Sequence, residues 1–291
     1  MWKCGLLRRM EVSRIECTMV SVRRDSHSHK GQNGIVTIVG GSRTMHGAPT
    51  FSALAAEASG VDLIHPCIPE CHESVIRSFS LKFIAHTFRG DDLSKADVSG
   101  IEEIIAMSSA AVIGPGLSEY ETTQKATQTL ISEATVPMVI DGTALQPWTF
   151  DTVKGKTVIL TPHIGELSRM QGQVLETKSL EERQDIVCTI AKARKITVLL
   201  KGPIDLIGGA EGTCSQVKGG NAGLSVGGTG DALAGLIAGL LAQKILPMEA
   251  CVMATTIMKR AATVLFQEKG YAFTTMDIIR QIPHLLNTYE G

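Results

Sequence analysis

The chain has 291 residues, 44% of them hydrophobic and 20% charged, with 28 Lys and Arg against 29 Asp and Glu. That apolar content excludes intrinsic disorder over most of its length, and the near-zero net charge offers no footprint for nucleic acid or an anionic membrane. The most apolar run, Ala232 to Gln243, falls well short of the roughly 20 residues that a membrane-spanning helix needs.

Residues 1–33 carry Lys3, Arg8, Arg9, Arg14, Arg23, Arg24 and Lys30 without clear periodicity or a long apolar run. A secretory signal is therefore not expected. The segment reads as a basic arm, or as an over-extended start with Met10 and Met19 as further initiators. From Gly34 onward short apolar runs alternate with helical patterns. Ile35 to Val39, Val61 to Ile64, Ala110 to Ile113, Val136 to Ile140, Val158 to Leu160 and Ile196 to Leu200 read as strands. Most are continuous rather than alternating, which implies a largely parallel sheet covered on both faces. Pro49 to Ser59, 119–134 and 179–193 read as helices, and Ile204 to Ile207 as the start of a hairpin near the sheet edge. No linker divides the chain, so residues 34–291 are expected to form one α/β domain.

The seven cysteines are odd in number and scattered, so no disulfide framework is expected and a reducing cytoplasmic setting fits best. Cys67, Cys71 and His72, with His65 nearby, match no standard zinc spacing, and thiols buried in a strand and its following turn are the expectation.

The strongest chemical signal is Gly227-Gly228-Thr229-Gly230-Asp231, directly followed by the apolar helix 232–243. In that helix Leu233, Leu236, Ile237, Leu240 and Leu241 form one stripe, while Ala234, Gly235, Ala238 and Gly239 allow close approach of a neighbour. Glycines at a helix start leave N–H groups free to face an anion, aided by the helix dipole. Gly227, Gly228, Thr229 and Gly230 are thus the candidate anion hole. Asp231 is either an ordinary helix-start carboxylate or a base that takes a proton from an attacking hydroxyl. Neither common nucleotide fingerprint is present. Gly155-Lys156-Thr157 lacks the leading glycine of a P-loop because position 150 is Phe, and after Gly228-x-Gly230 the next glycine comes only at 235.

The segment Asn221 to Gly235 resembles the C-terminal signature of ribokinase-like enzymes, and most closely that of the ADP/ATP-dependent NAD(P)H-hydrate dehydratases. Four further segments agree in order: Gly40-Gly41-Ser42 with Gly47-Ala48-Pro49, Gly114-Pro115-Gly116-Leu117, Thr161-Pro162-His163-Ile164-Gly165-Glu166, and Lys201-Gly202. The resemblance covers about 34–285 and implies a three-layer ribokinase-like α/β sandwich. It implies that Asp231 is the catalytic base and that Ala48, Gly116, His163 and Asp231 contact hydrated NADH or NADPH. Lys201, Gly202, Pro203, Ile204, Asp205 and Gly230 would bind ADP or ATP, and Glu166 would organise Mg2+ through water. His163 could instead simply support its loop, and Glu166 could be a first-turn helix acid. Two positions depart from the family: Met45 stands where Tyr is usual, and Thr143 replaces the second acid of Asp141-Gly142-Thr143-Ala144-Leu145.

The implied reaction is repair of the S form of hydrated NAD(P)H by phosphorylation of the C6 hydroxyl and loss of phosphate. Two other readings share parts of this pattern: a small-molecule kinase acting on a thiazole or pyrimidine alcohol, and a non-catalytic nucleotide-binding module. Helices rich in small residues suggest a homo-oligomer, with a tetramer expected. The stretch before residue 34 is too short for an epimerase domain, so an epimerase is expected as a separate protein.

Overall fold

The computed structural model describes residues 24–289. Most of the expected basic arm therefore lies outside the described residues. Its described end docks on Asp62, which pairs with Arg24 and accepts from the N–H groups of Gly31 and Asn33 at 2.8 and 3.1 Å.

The elements run β1 (Ile35–Val39), α1 (Gly47–Ala58), β2 (Leu63–Pro69), α2 (Glu73–Phe79), β3 (His86–Phe88), α3 (Val98–Ala106) and β4 (Ala110–Ile113). They continue with α4 (Glu121–Glu133), β5 (Met138–Ile140), α5 (Thr149–Thr152), β6 (Val158–Leu160), α6 (Ile164–Gln171), α7 (Leu180–Arg194) and β7 (Thr197–Leu200). The chain then forms β8 (Asp205–Gly208), β9 (Cys214–Val217), α8 (Thr229–Ala242), α9 (Pro247–Lys269) and α10 (Thr275–Thr288). One sheet has the order β3-β2-β1-β4-β5-β6-β7-β8-β9. Strands β1 to β7 are parallel, and β8 and β9 close the edge as the expected antiparallel hairpin.

Side chains from alternate strand positions feed two cores. Val36, Ile38, Val112, Val139, Ile159 and Leu199 pack with α1, α8, α9 and α10 on one face. Val39, Ala111, Ile113, Ile140, Leu160 and Val198 pack with α3, α4 and α7 on the other. Burial on both faces is why these strands are continuous apolar runs, and the three layers match the sequence expectation.

Helix α8 is buried from Ala232 through Ala242 rather than along one stripe, because α1 and α9 flank it and the sheet lies beneath. A Cβ on Gly235 would sit 2.0 Å from the Ser52 carbonyl oxygen, and one on Gly239 2.1 Å from Ser59 Oγ. Gly235 and Gly239 thus let α8 approach α1 closely within the chain.

Other expectations shift. The second strand spans 63–69 rather than 61–64, and α2, β3, α3, α5, α9 and α10 have no counterpart among the expected elements. Cys67 is buried in β2 as expected, but Cys71 is exposed in the turn that follows. Cys188 on α7 and Cys214 on β9 are bonded to each other, where the sequence suggested scattered thiols. Among the described residues no helix is long and apolar enough to cross a membrane.

Candidate active site

The strand order reverses between β1 and β4, and in such sheets ligands bind in the crevice beyond the carboxyl ends of the strands. The segments that carry the family resemblance lie at that end. Gly40 and Gly41 follow β1, Gly114 to Leu117 follow β4, Asp141 follows β5, Thr161 to His163 follow β6, and Lys201 follows β7.

The glycine turns are fitted to one another. Gly41 N–H donates to the Pro115 carbonyl at 2.8 Å, and a Cβ on Gly40 would approach that oxygen to 2.3 Å. Gly116 has φ +69° and faces Ala48 and Met45, with both of their Cβ atoms 3.1 Å from where its own would be. Ala48 and Gly116 therefore do meet, in the first turn of α1. Met45 stands beside them, half exposed. Thr143 donates its hydroxyl to the Leu117 carbonyl at 2.8 Å, so the residue that replaces an acid ties the second glycine turn in place.

Helix α8 presents the candidate anion hole. Its N-cap Gly228 has φ +92°, and a Cβ there would lie 2.3 Å from the Phe51 ring, so only glycine fits. The loop is pinned from α10, where Thr275 Oγ1 donates to the Gly227 carbonyl at 2.8 Å. Among the described residues, the N–H groups of Gly227, Gly228 and Gly230 meet no protein acceptor, as an anion-binding turn requires. Thr229 differs from expectation: its N–H donates to the Val226 carbonyl and its hydroxyl to Leu224 and Val226. Thr229 thus spends its N–H and its hydroxyl on the turn itself.

Asp231 occupies the first turn of α8, its carbonyl held by Ser52 Oγ at 2.8 Å. Burial, then the nearby Asp141 carboxylate, push its pKa up to about 7 against the pull of Lys201. Asp141 sits in a sequence motif but carries no expected site role. It accepts from Lys201 Nζ at 2.7 Å and from Thr161 Oγ1 at 2.8 Å, deep in the site. Burial works against the Lys201 ammonium, but Asp141, Glu166 and Asp231 outweigh it and hold its pKa above the ordinary value. Lys201 Nζ lies only 3.2 Å from where a Gly230 Cβ would be, so its charge stands at the edge of the anion hole.

His163 and Glu166 cap α6 reciprocally. His163 Nδ1 accepts from the N–H groups of Gly165 and Glu166 at 3.1 and 3.2 Å, and Glu166 Oε2 accepts from His163 N–H at 2.7 Å. The loop-supporting reading of both residues is thus present in the geometry. The His163 side chain is nonetheless 60% exposed, with its Nε2 3.6 Å from Glu166 Oε1. Burial, opposed by Lys201, raises the Glu166 pKa. Among the described residues no group of three or more His, Cys, Asp or Glu could hold a metal by itself. With one Glu166 oxygen spent on the cap, the donor set suits only an ion that keeps its waters and takes further ligands from phosphates, which is the habit of Mg2+.

A cavity of about 580 Å³ opens beside Lys201 and Gly230, lined also by Gly202, Pro203, Asp205, Asn221, Leu224 and Met258. Its size and mixed lining suit a small organic ligand. Two expected nucleotide residues behave otherwise. Ile204 packs toward the second core, and the Asp205 carboxylate is occupied by Gly202 N–H at 2.7 Å and by Lys259 Nζ at 3.1 Å.

Comparison with known proteins accords with this arrangement. The family described as NAD(P)H-hydrate dehydratase matches residues 36–284. The ADP-dependent (S)-NAD(P)H-hydrate dehydratase of Nitrosopumilus maritimus is 36% identical over 271 residues, covering 92% of this chain and 93% of that protein. Among solved structures, the ADP/ATP-dependent NAD(P)H-hydrate dehydratase of Bacillus subtilis, co-crystallised with ATP and Mg2+, superposes with a TM-score of 0.76. It is 26% identical, over 92% of this chain and 94% of that one. A ribokinase-like superfamily protein of Enterococcus faecalis gives a TM-score of 0.78 at 25% identity, over 92% and 91% of the two chains. On a ribokinase-like fold, the chain belongs to the NAD(P)H-hydrate dehydratase family.

Proposed function

We propose that the protein returns the S form of hydrated NADH and NADPH to NADH and NADPH, using ADP or ATP to phosphorylate the C6 hydroxyl and then releasing phosphate. The observation that carries this reading is Asp231, a carboxylate with a pKa of about 7 beside the open N–H groups of Gly228 and Gly230. A carboxylate so tuned is half ionised near neutrality and holds a proton well, the property a general base needs.

In the first step Asp231 takes the C6 hydroxyl proton as that oxygen attacks the terminal phosphorus of the nucleotide. The bond from phosphorus to the nucleotide breaks, and AMP or ADP leaves. The Gly228 and Gly230 amides and the Lys201 ammonium hold the charge of the transferring group, an arrangement worth about 3–4 kcal/mol per key donor. In the second step the ring nitrogen pair expels phosphate as the C6–O bond breaks, and loss of a C5 proton restores the ring double bond. Mg2+, held through water by Glu166 and directly by the donor phosphates, would neutralise phosphate charge when bound. The dinucleotide would lie along Ala48, Gly116 and His163, and the adenine nucleotide in the cavity beside Lys201, Gly202, Pro203 and Gly230.

A cytoplasmic location and a homo-oligomeric state with four copies complete the proposal. Sedimentation of the purified protein tests the copy number.

Return of the dihydronicotinamide absorbance from hydrated NADH, with one phosphate released per NADH, tests the activity. The faster of ADP and ATP identifies the donor. A flat trace with both nucleotides and folded protein would overturn the reading, and a stable phosphorylated alcohol would replace it with a kinase.

A further inference from the structure

Lys259 lies within α9, and its side chain is only 5% exposed. Its ammonium reaches the Pro203 carbonyl at 3.0 Å, the Asp205 carboxylate at 3.1 Å, the Gly219 carbonyl at 3.4 Å and the Gly202 carbonyl at 3.5 Å. These acceptors come from two loops. One joins β7 to β8, and the other leads from β9 toward the anion hole. Both loops wall the cavity beside Lys201.

The second loop is built to lie on this side chain. Gly219 and Gly220 have φ +109° and +71°, and a Cβ on Gly220 would stand 3.2 Å from Lys259 Cγ. An ammonium has three N–H donors and no acceptor. Pro203, Asp205 and the Gly219–Gly202 carbonyl pair use all three, so none is left for a ligand. We propose that Lys259 is a positioning residue for nucleotide affinity: its ammonium draws the 202–205 and 219–220 loops together and so fixes the width of the cavity. This rests on reading that cavity as the adenine-nucleotide side.

The role separates from chemistry at Asp231. Substitution Lys259→Met keeps the aliphatic stem and removes the donors, leaving the two loops without their common partner. A preformed wall then becomes one the ligand must order, and affinity falls by about tenfold or more. The effect falls on the nucleotide: its KM rises, while kcat at saturating nucleotide and KM for the hydrate stay within about twofold.

The test is calorimetric binding of ADP and of ATP to the wild-type protein and to Lys259→Met, with steady-state kinetics alongside. Should Lys259→Met not fold, the double variant Lys259→Met with Asp205→Asn removes the unpaired buried carboxylate and carries the same measurement. Weaker nucleotide binding with an unchanged hydrate KM is the expected result. Wild-type affinity in a folded variant, or equal losses for nucleotide and hydrate, would overturn the role of Lys259. Failure of the wild-type protein to bind either nucleotide would instead overturn the assignment of the cavity.

Discussion

Replacing Asp231 by Asn should cost activity and increase stability, and both follow from one property of the site. The folded protein holds the Asp231 proton with a pKa of about 7, against an ordinary value of 3.8, chiefly because the group is buried and next because Asp141 is close. A raised carboxyl pKa means that the folded state binds the proton more tightly than the unfolded chain. Its stabilising contribution is therefore full below the ordinary value and is lost as pH rises through about 7. At 1.36 kcal/mol per pKa unit the gap amounts to about 4 kcal/mol, and sharing of the titration with neighbouring groups brings the working range to about 2–4 kcal/mol. Asn is neutral at every pH and escapes that cost. Urea unfolding should show Asp231→Asn more stable than the wild type by about 2–4 kcal/mol near pH 8, with the difference shrinking as pH falls toward about 4. Dehydration by the variant should fall about 10²–10⁴-fold, the usual worth of a positioned base. A variant no more stable than wild type at alkaline pH would refute the electrostatic argument, and one with near-normal turnover would refute the catalytic role.

The wild-type pH profile should rise with an apparent pKa near 7, since the base must be ionised, and a profile flat from about pH 5 to 8 would contradict this. Lys201→Met should move that limb to higher pH, because Lys201 holds the Asp231 pKa down. The same variant strands Asp141 without its 2.7 Å partner and should lose about 3 kcal/mol of stability, read by urea unfolding at neutral pH. Gly235→Ala drives a methyl into the Ser52 carbonyl, 2.0 Å from its ideal position, and should destabilise by about 1–3 kcal/mol or more with a lower melting temperature.

Much of this arrangement is legible in the residues, for physical reasons. Strands such as Ile35–Val39 and Ala110–Ile113 announce a covered parallel sheet because both of their faces are buried. Gly228 and Gly235 stand where a side chain would strike Phe51 or Ser52, and that need is what makes the glycine pattern readable. Other features leave no local trace. Asp141 is a strand-end acid like many others until the fold carries Lys201 to it across 60 positions of sequence. Nothing local marks Lys259, yet α9 is packed against α8, α10 and the hairpin, and the residue is buried. That surrounding contact also deprives α9 of the one-sided apolar stripe by which a helix is recognised. Cys188 and Cys214 are joined across 26 positions by the packing of α7 on the hairpin, a proximity that spacing does not encode. For His163 and Glu166 the sequence leaves a capping role and a ligand role open; their mutual hydrogen bonds satisfy the first, while the His163 side chain stays 60% exposed.

If Asp231 and the glycine turn direct a phosphoryl group to the C6 hydroxyl before that oxygen leaves, the fate of the oxygen records it. Hydrate prepared in heavy-oxygen water carries its label in that hydroxyl, and mass spectrometry can follow the label through turnover with ATP or ADP in ordinary water. The heavy oxygen should emerge in the released phosphate, one atom per NADH restored. Label appearing in water, with unlabelled phosphate, would mean that the hydroxyl departs without being phosphorylated and would contradict the mechanism.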